Sequence, residues 1–120
     1  MARTVLSVRE LDARNEFSAD FTTLTEAVDA AAGAEFTMSD RDDKYLILIQ
    51  NAATSAKTVT VKAGNGLQGA ADLTHSVSAS GYTCVVVESG AYKNVSGADR
   101  GKVIVIGADA NIKLAVFKLP

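Results

Sequence analysis

From residue 45 onward, short β-branched runs recur about every eight to twelve residues, each set off by turn residues. Residues 45–49 form the first run. Residues 58–62 alternate, with Val59 and Val61 on one face and Thr58, Thr60 and Lys62 on the other. Residues 73–77 alternate as well, and 112–118 place Ile112, Leu114 and Val116 together on one face. The segments 51–56, 64–69, 78–81, 94–101 and 107–111 are rich in Gly, Ser, Asn or Asp, which supply positive φ or local hydrogen bonds at turns. The only proline, Pro120, is terminal and interrupts no strand. This pattern predicts an all-β chain: one antiparallel β-sandwich over residues 24–120, preceded by an N-terminal arm over 1–23.

The first 44 residues lack so clear a period. Residues 4–8 read as a short strand or extended arm. Residues 24–32 have helical composition, Thr23 and Glu26 fit a capping box, and Gly33 is placed as a stop. The alanines there offer little apolar area to hold a helix on a core. A short helix and an extended segment ordered against a neighbour both remain open.

Three runs, 45–49, 83–87 and 103–106, are apolar on both faces. A strand of a lone sandwich shows one face to water, so alternation should prevail. The outer faces of these runs therefore need cover, from the arm, another copy of the chain or a different protein. At about 25 cal/mol per Å² of apolar surface, a few such side chains supply several kcal/mol of association drive.

Composition sharpens this. The 120 residues are 48% apolar and 22% charged, enough for one core without disulfides or metal. Twelve basic against 14 acidic residues give a net charge of −2, which lacks the cationic face that nucleic-acid binding draws on. No apolar stretch reaches the roughly 18 to 20 residues of a bilayer span. Charged residues enter the N-terminus before any signal-peptide core forms, so the expectation is a chain made in the cytoplasm, without membrane or nucleic-acid partners.

Candidate chemistry is sparse. Gly64, Gly66 and Gly69 spell the dinucleotide fingerprint, but the stretch after them is a short polar link into another strand, with no crossover helix to receive a pyrophosphate. A glycine-rich hairpin loop is the simpler reading. His75 and Cys84 are the only residues of their kinds; one imidazole cannot build a His-based metal site, and Cys84 among Val85, Val86 and Val87 reads as a small buried hydrophobe. His75 shares its face with Leu73 and Val77 and reads as a core-edge or interface residue. The acidic cluster at 40–43 fails the EF-hand pattern, because Tyr45 and Asn51 occupy its sixth and twelfth places. It reads as a solvated turn. Asn94–Ser96 is a formal glycosylation sequon, read as a polar turn. No catalytic residue, cofactor or metal ligand is assigned, and an enzyme is not expected.

The order of these pieces resembles the small head decoration, or cement, proteins of tailed bacteriophages. The likeness runs over residues 20–119: the small-residue segment 27–33, Phe36 and a charged turn, the run 44–51, the T-V-T-V strand at 58–61, the alternating strand ending at 78–81, Tyr92–Val95, the run 103–106 and the closing strand 112–119. Longer charged residues 9–20 and the 64–69 loop depart from it. The resemblance implies a β-sandwich or jelly-roll domain on the outer capsid surface of the virion. There it would bind the major capsid protein and other copies of itself, as a homotrimer or, second, a dimer. Each copy would tie neighbouring capsomers together without turning over a substrate. In this reading Val5, Leu6, Val8 and Leu11, with Phe17 and Phe21 further along, anchor the arm to the capsid or a neighbouring subunit, and removing residues 1–20 leaves the sandwich folded. A tail-tube or baseplate role and a carbohydrate-binding module are the alternatives. The latter has no Trp, three Tyr and four Phe from which to build a stacking platform.

Overall fold

Burial alternates along one of the two longest strands. Within 45–51 every odd-numbered side chain is buried and every even one half-buried, because successive side chains of a strand point to opposite faces. The computed structural model describes residues 2–20, 23, 25–67 and 71–120. In chain order the elements are Thr4–Val5 (β1), Val8–Glu10 (β2), Glu26–Ala27 (β3), Ala34–Thr37 (β4), a 3-10 turn at Asp42–Lys44, Tyr45–Asn51 (β5), Lys57–Val61 (β6), Leu73–Val77 (β7), Tyr82–Val85 (β8), the single-turn helix Ser89–Tyr92 (α1), Lys102–Gly107 (β9) and Ile112–Lys118 (β10).

The chain is all-β and forms two sheets. The first has the order β1-β4-β9-β6-β7, and the second β2-β10-β5-β8, with β3 also paired to β10. Between them lies the core, in which Phe36, Tyr45, Ile47, Val103, Val105, Ile112 and Leu114 are buried. The Phe36 and Tyr45 rings pack with centroids 5.9 Å apart. β5 and β10 pair antiparallel along their whole length, from Ile112 opposite Asn51 to Lys118 opposite Tyr45.

One expectation needs correction here, and one point left open is decided. The sheets are not purely antiparallel: β1 runs parallel to β4 and β2 parallel to β10. Nor do residues 25–32 form a helix. Glu26 and Ala27 pair with Leu114 and Lys113, Val28 is buried, and the Asp29 carboxylate accepts hydrogen bonds from the backbone N–H groups of Ala31 and Ala32 in a tight turn. An extended backbone places Val28 in the core, which the alanine-rich composition did not reveal. Leu24, the first residue of that segment, lies outside the described residues.

The N-terminal segment closes one margin of the sandwich. β1 joins the first sheet, β2 the second, and Leu6 between them is buried with its N–H donating to the Glu35 carbonyl at 2.9 Å. Arg3 pins the start to the loop before β9 through Asp99, at 2.9 Å. The Glu35 carboxylate, 8% exposed, is gripped by Lys102 at 2.7 Å and Arg3 at 3.5 Å. Lys118 ties β2 to the opposite loop, 3.2 Å from both Glu10 and Asp40.

Candidate functional site: an open seam between two sheet edges

The opposite margin is not closed. β7 is the last strand of the first sheet and β8 the last of the second, so both end the sandwich on the side away from the N-terminal segment. Across the first sheet that is four strand spacings, roughly 19 Å. The register puts Leu73 opposite Val61 and His75 opposite Val59, all on the core face of the first sheet. Thr83 lies opposite Ile49 and Val85 opposite Ile47, on the core face of the second. An apolar cleft of about 210 Å³ opens between these strands, with Ile49, Val59 and Val61 at its floor. Leu73 is 39% exposed although its strand face belongs to the core.

Among the described residues, no strand pairs with the outer edge of β7 or β8. The Asn51 N–H donates to the Gly81 carbonyl, and antiparallel ladders alternate bonded and non-bonded pairs, so Thr83 and Val85 bond to β5. Tyr82 and Cys84 then point their N–H and C=O groups outward. On β6, the Thr58 carbonyl and the Lys62 N–H are engaged with the 104–108 region, which turns Val59 and Val61 toward β7. The outward groups of β7 are those of Thr74 and Ser76. Neither edge strand contains a charged residue or a proline, the devices by which natural sheets blunt their edges.

The apolar surface continues onto the outside of the second sheet. Tyr82 and Val86 are 59% and 53% exposed; Leu46 and Leu48 are half-buried there, and Ala115 and Phe117 lie opposite them on β10. Two of the three two-faced runs therefore present apolar side chains outward. The third does so less: on the outer face of β9, Ile104 is buried within this chain, opposite Glu35, and Ile106 is half-buried.

The residues singled out in the N-terminal segment have separate fates. Leu6 belongs to this chain's own core, and Val8, half-buried, packs against it. The reason is the pairing of β1 and β2, too short to show a period in sequence. Val5 is 71% exposed, Leu11 half-buried and Phe17 fully exposed. Phe21 lies outside the described residues.

Other candidates resolve into structure. Cys84 is exposed rather than buried: it pairs with Leu48 on the outer face, and Val85 takes the inward position instead. His75 is exposed on β7. Asn65 fastens the glycine-rich loop to the 95–96 segment, accepting from the Val95 N–H and donating to the Ser96 carbonyl. Residues 68–70, including Gly69, lie outside the described residues. The acidic cluster is engaged with its neighbours. Asp40 accepts from the Arg41 N–H and meets Lys118 and Lys44, Arg41 grips Asp43, and Asp42 accepts from the Ser89 N–H at 2.8 Å. Among the described residues no group of His, Cys, Asp and Glu could hold a metal ion. The Asn94 amide is buried and donates to the Lys102 carbonyl. Among the described residues no helix is long and apolar enough to cross a membrane.

No family model matches the chain, and no curated protein or solved structure matches it either.

Proposed function

We propose that this chain is a structural protein of a phage head, a decoration protein that binds the outer surface of the assembled shell and bridges major capsid subunits. One observation carries the reading: a chain with a buried core of its own leaves, at one margin of its sandwich, an apolar cleft and two edge strands that are unpaired among the described residues, with Leu73, Tyr82 and Val86 exposed. Such a margin suits a protein whose working state is an assembly. The acidic balance, the salt-bridged surface carboxylates and the resemblance to cement proteins agree with that role.

In this reading the two margins divide the work. The seam at β7 and β8 meets other copies of the chain, while Val5 and Phe17, exposed on the N-terminal segment, contact the capsid. Binding to the assembled shell and not to free subunits stabilises the shell by mass action, and many copies on one lattice add avidity. The test is co-sedimentation of the purified chain with expanded heads of its own phage and with dissociated capsid subunits. Retention on heads alone is expected, weakened by Val5→Asp and Phe17→Ala. Absence of binding to expanded heads sinks the proposal.

A further inference from the structure

We infer that the seam is a self-association surface: β7 and β8 each pair antiparallel with the same strand of a second copy, across a single two-fold axis, to form a dimer with continuous sheets. This deepens the self-association half of the reading above and does not depend on the shell.

Both edges end the sandwich on the same side, so one two-fold axis normal to the sheets brings β8 against its copy and β7 against its copy together. The outward N–H and C=O groups of Tyr82 and Cys84, and of Thr74 and Ser76, all gain partners. The exposed core-face side chains Leu73, His75, Thr83 and Val85 then meet their counterparts over the cleft, with Thr83 and Val85 forming cross-strand β-branched contacts and each His75 imidazole brought near its copy. A single extended peptide could satisfy only one edge and would leave the other side of the cleft open.

Charge selects the same geometry. Self-pairing sets together strands that hold no Asp, Glu, Lys or Arg. A head-to-tail contact would instead place the seam against the β1 and β2 margin, which carries Arg3, Arg9 and Glu10. It would desolvate those charges and propagate as an open row of copies rather than close. The two margins are therefore unlike in a way that favours the closed, isologous pair.

The test is light scattering of the full-length chain at high micromolar concentration. A mass twice the 12.5 kDa of the chain is expected; a monomer, a trimer or an open polymer overturns the inference. Cys84→Pro removes an outward N–H without breaking a bond to β5, and is expected to give a folded monomer by circular dichroism, whereas Cys84→Ser stays dimeric. A Cys84→Pro protein that remains a dimer with native circular dichroism also overturns it. Should that variant fail to fold, amide exchange on the unmodified chain decides: Thr74, Ser76, Tyr82 and Cys84 must become protected as concentration rises, and exchange independent of concentration refutes the pairing. Shell binding is read separately, so a dimer that ignores expanded heads would sink the decoration reading and leave this one standing.

Discussion

The side-chain amide of Asn51 donates to the backbone carbonyl of Val77 at 3.1 Å, linking the end of β5 in one sheet to the end of β7 in the other. The same nitrogen reaches the carbonyls of Ser55 and Ser78, at 2.9 and 3.2 Å, and the Asn51 oxygen accepts from the Ala53 N–H at 3.0 Å. Two N–H groups serve three acceptors inside a fully buried site. This latch holds the β7–β8 connection at one end, and the seam opens away from it. Asn51→Ala strands those carbonyls and is expected to cost about 2–4 kcal/mol in denaturant unfolding. Asn51→Asp should be worse at neutral pH, where a carboxylate would face three carbonyl oxygens. An unchanged unfolding midpoint for the Asp variant would remove the latch from the account.

Tyr45 performs a similar task where β4 turns into β5. Its buried hydroxyl accepts from the backbone N–H groups of Ser39 and Asp40, at 3.2 and 3.1 Å. Tyr45→Phe keeps the ring against Phe36 and deletes only that acceptor, so a loss of about 1–2 kcal/mol is expected. Tyr45→Ala, which also empties the ring site, should lose about 3–5 kcal/mol. Equal losses for the two would mean that the hydroxyl, not the ring, dominates.

Gly33 is fixed by backbone geometry. Its φ is +83°, and a Cβ built there would lie 2.5 Å from the Val105 carbonyl oxygen, a backbone atom held in β9. Its own carbonyl accepts from the N–H groups of Thr4 and Asp29, so the turn also carries β1. Gly33→Ala is expected to cost about 2–4 kcal/mol, from left-handed strain and steric overlap together. A thermal midpoint equal to the parent's would show that β9 can yield.

The six strands from β5 to β10 were legible because each is a run of four or more apolar or alternating residues set off by turn residues, with period two visible in β6, β7 and β10. Leu6 and Val8 were not: β1 and β2 are two and three residues long, and they exist by pairing with strands far away in sequence. For Cys84 the run 83–87 is apolar on both faces, so its composition cannot say which side turns inward; only the register against Leu48 does. That some surface would need cover was readable from the two-faced runs. That it would be one open margin was not, since Ile104 is covered internally while Leu73, from a polar-looking strand, is the side chain left in the cleft.

Acid should loosen the surface connections first. Hydrogen bonds from the Ser89 N–H to Asp42, from the Arg41 N–H and Lys118 to Asp40, and from the Ala63 N–H and Lys62 to Asp72 hold these carboxyls below their ordinary value of 3.8. Lys57 and the Asn111 N–H do the same for Asp109. A carboxyl with a lowered folded pKa contributes stability that is complete above the unfolded value and is lost as pH falls through the folded one. The thermal midpoint should therefore be flat on the acid side of neutrality down to about pH 4 and decline below it. Asp42→Asn should remove part of that decline. A midpoint that rises on acidification would contradict the role of these groups.

The N-terminal segment offers the sharpest contrast between neighbours. Leu6 and Val5 are adjacent and similar in chemistry, yet Leu6 is 4% exposed and Val5 71%. Leu6→Ala empties a core position between the sheets and is expected to cost about 2–5 kcal/mol, whereas Val5→Ala should stay within about 0.5 kcal/mol. Removing residues 1–20 takes away β1, β2, Leu6 and the Arg3–Asp99 pair together. The closed margin would then resemble the open one, with Phe36, Val103 and Val116 losing cover. Where the sequence suggested a free arm, deleting this paired segment is expected to disrupt the sandwich; the truncated chain should expose apolar surface and bind a hydrophobic dye. Cooperative unfolding of the truncated chain at the parental midpoint would restore the arm and release Leu6 to a partner, which is why point changes at Val5 and Phe17 are the cleaner probes of what this end of the molecule touches.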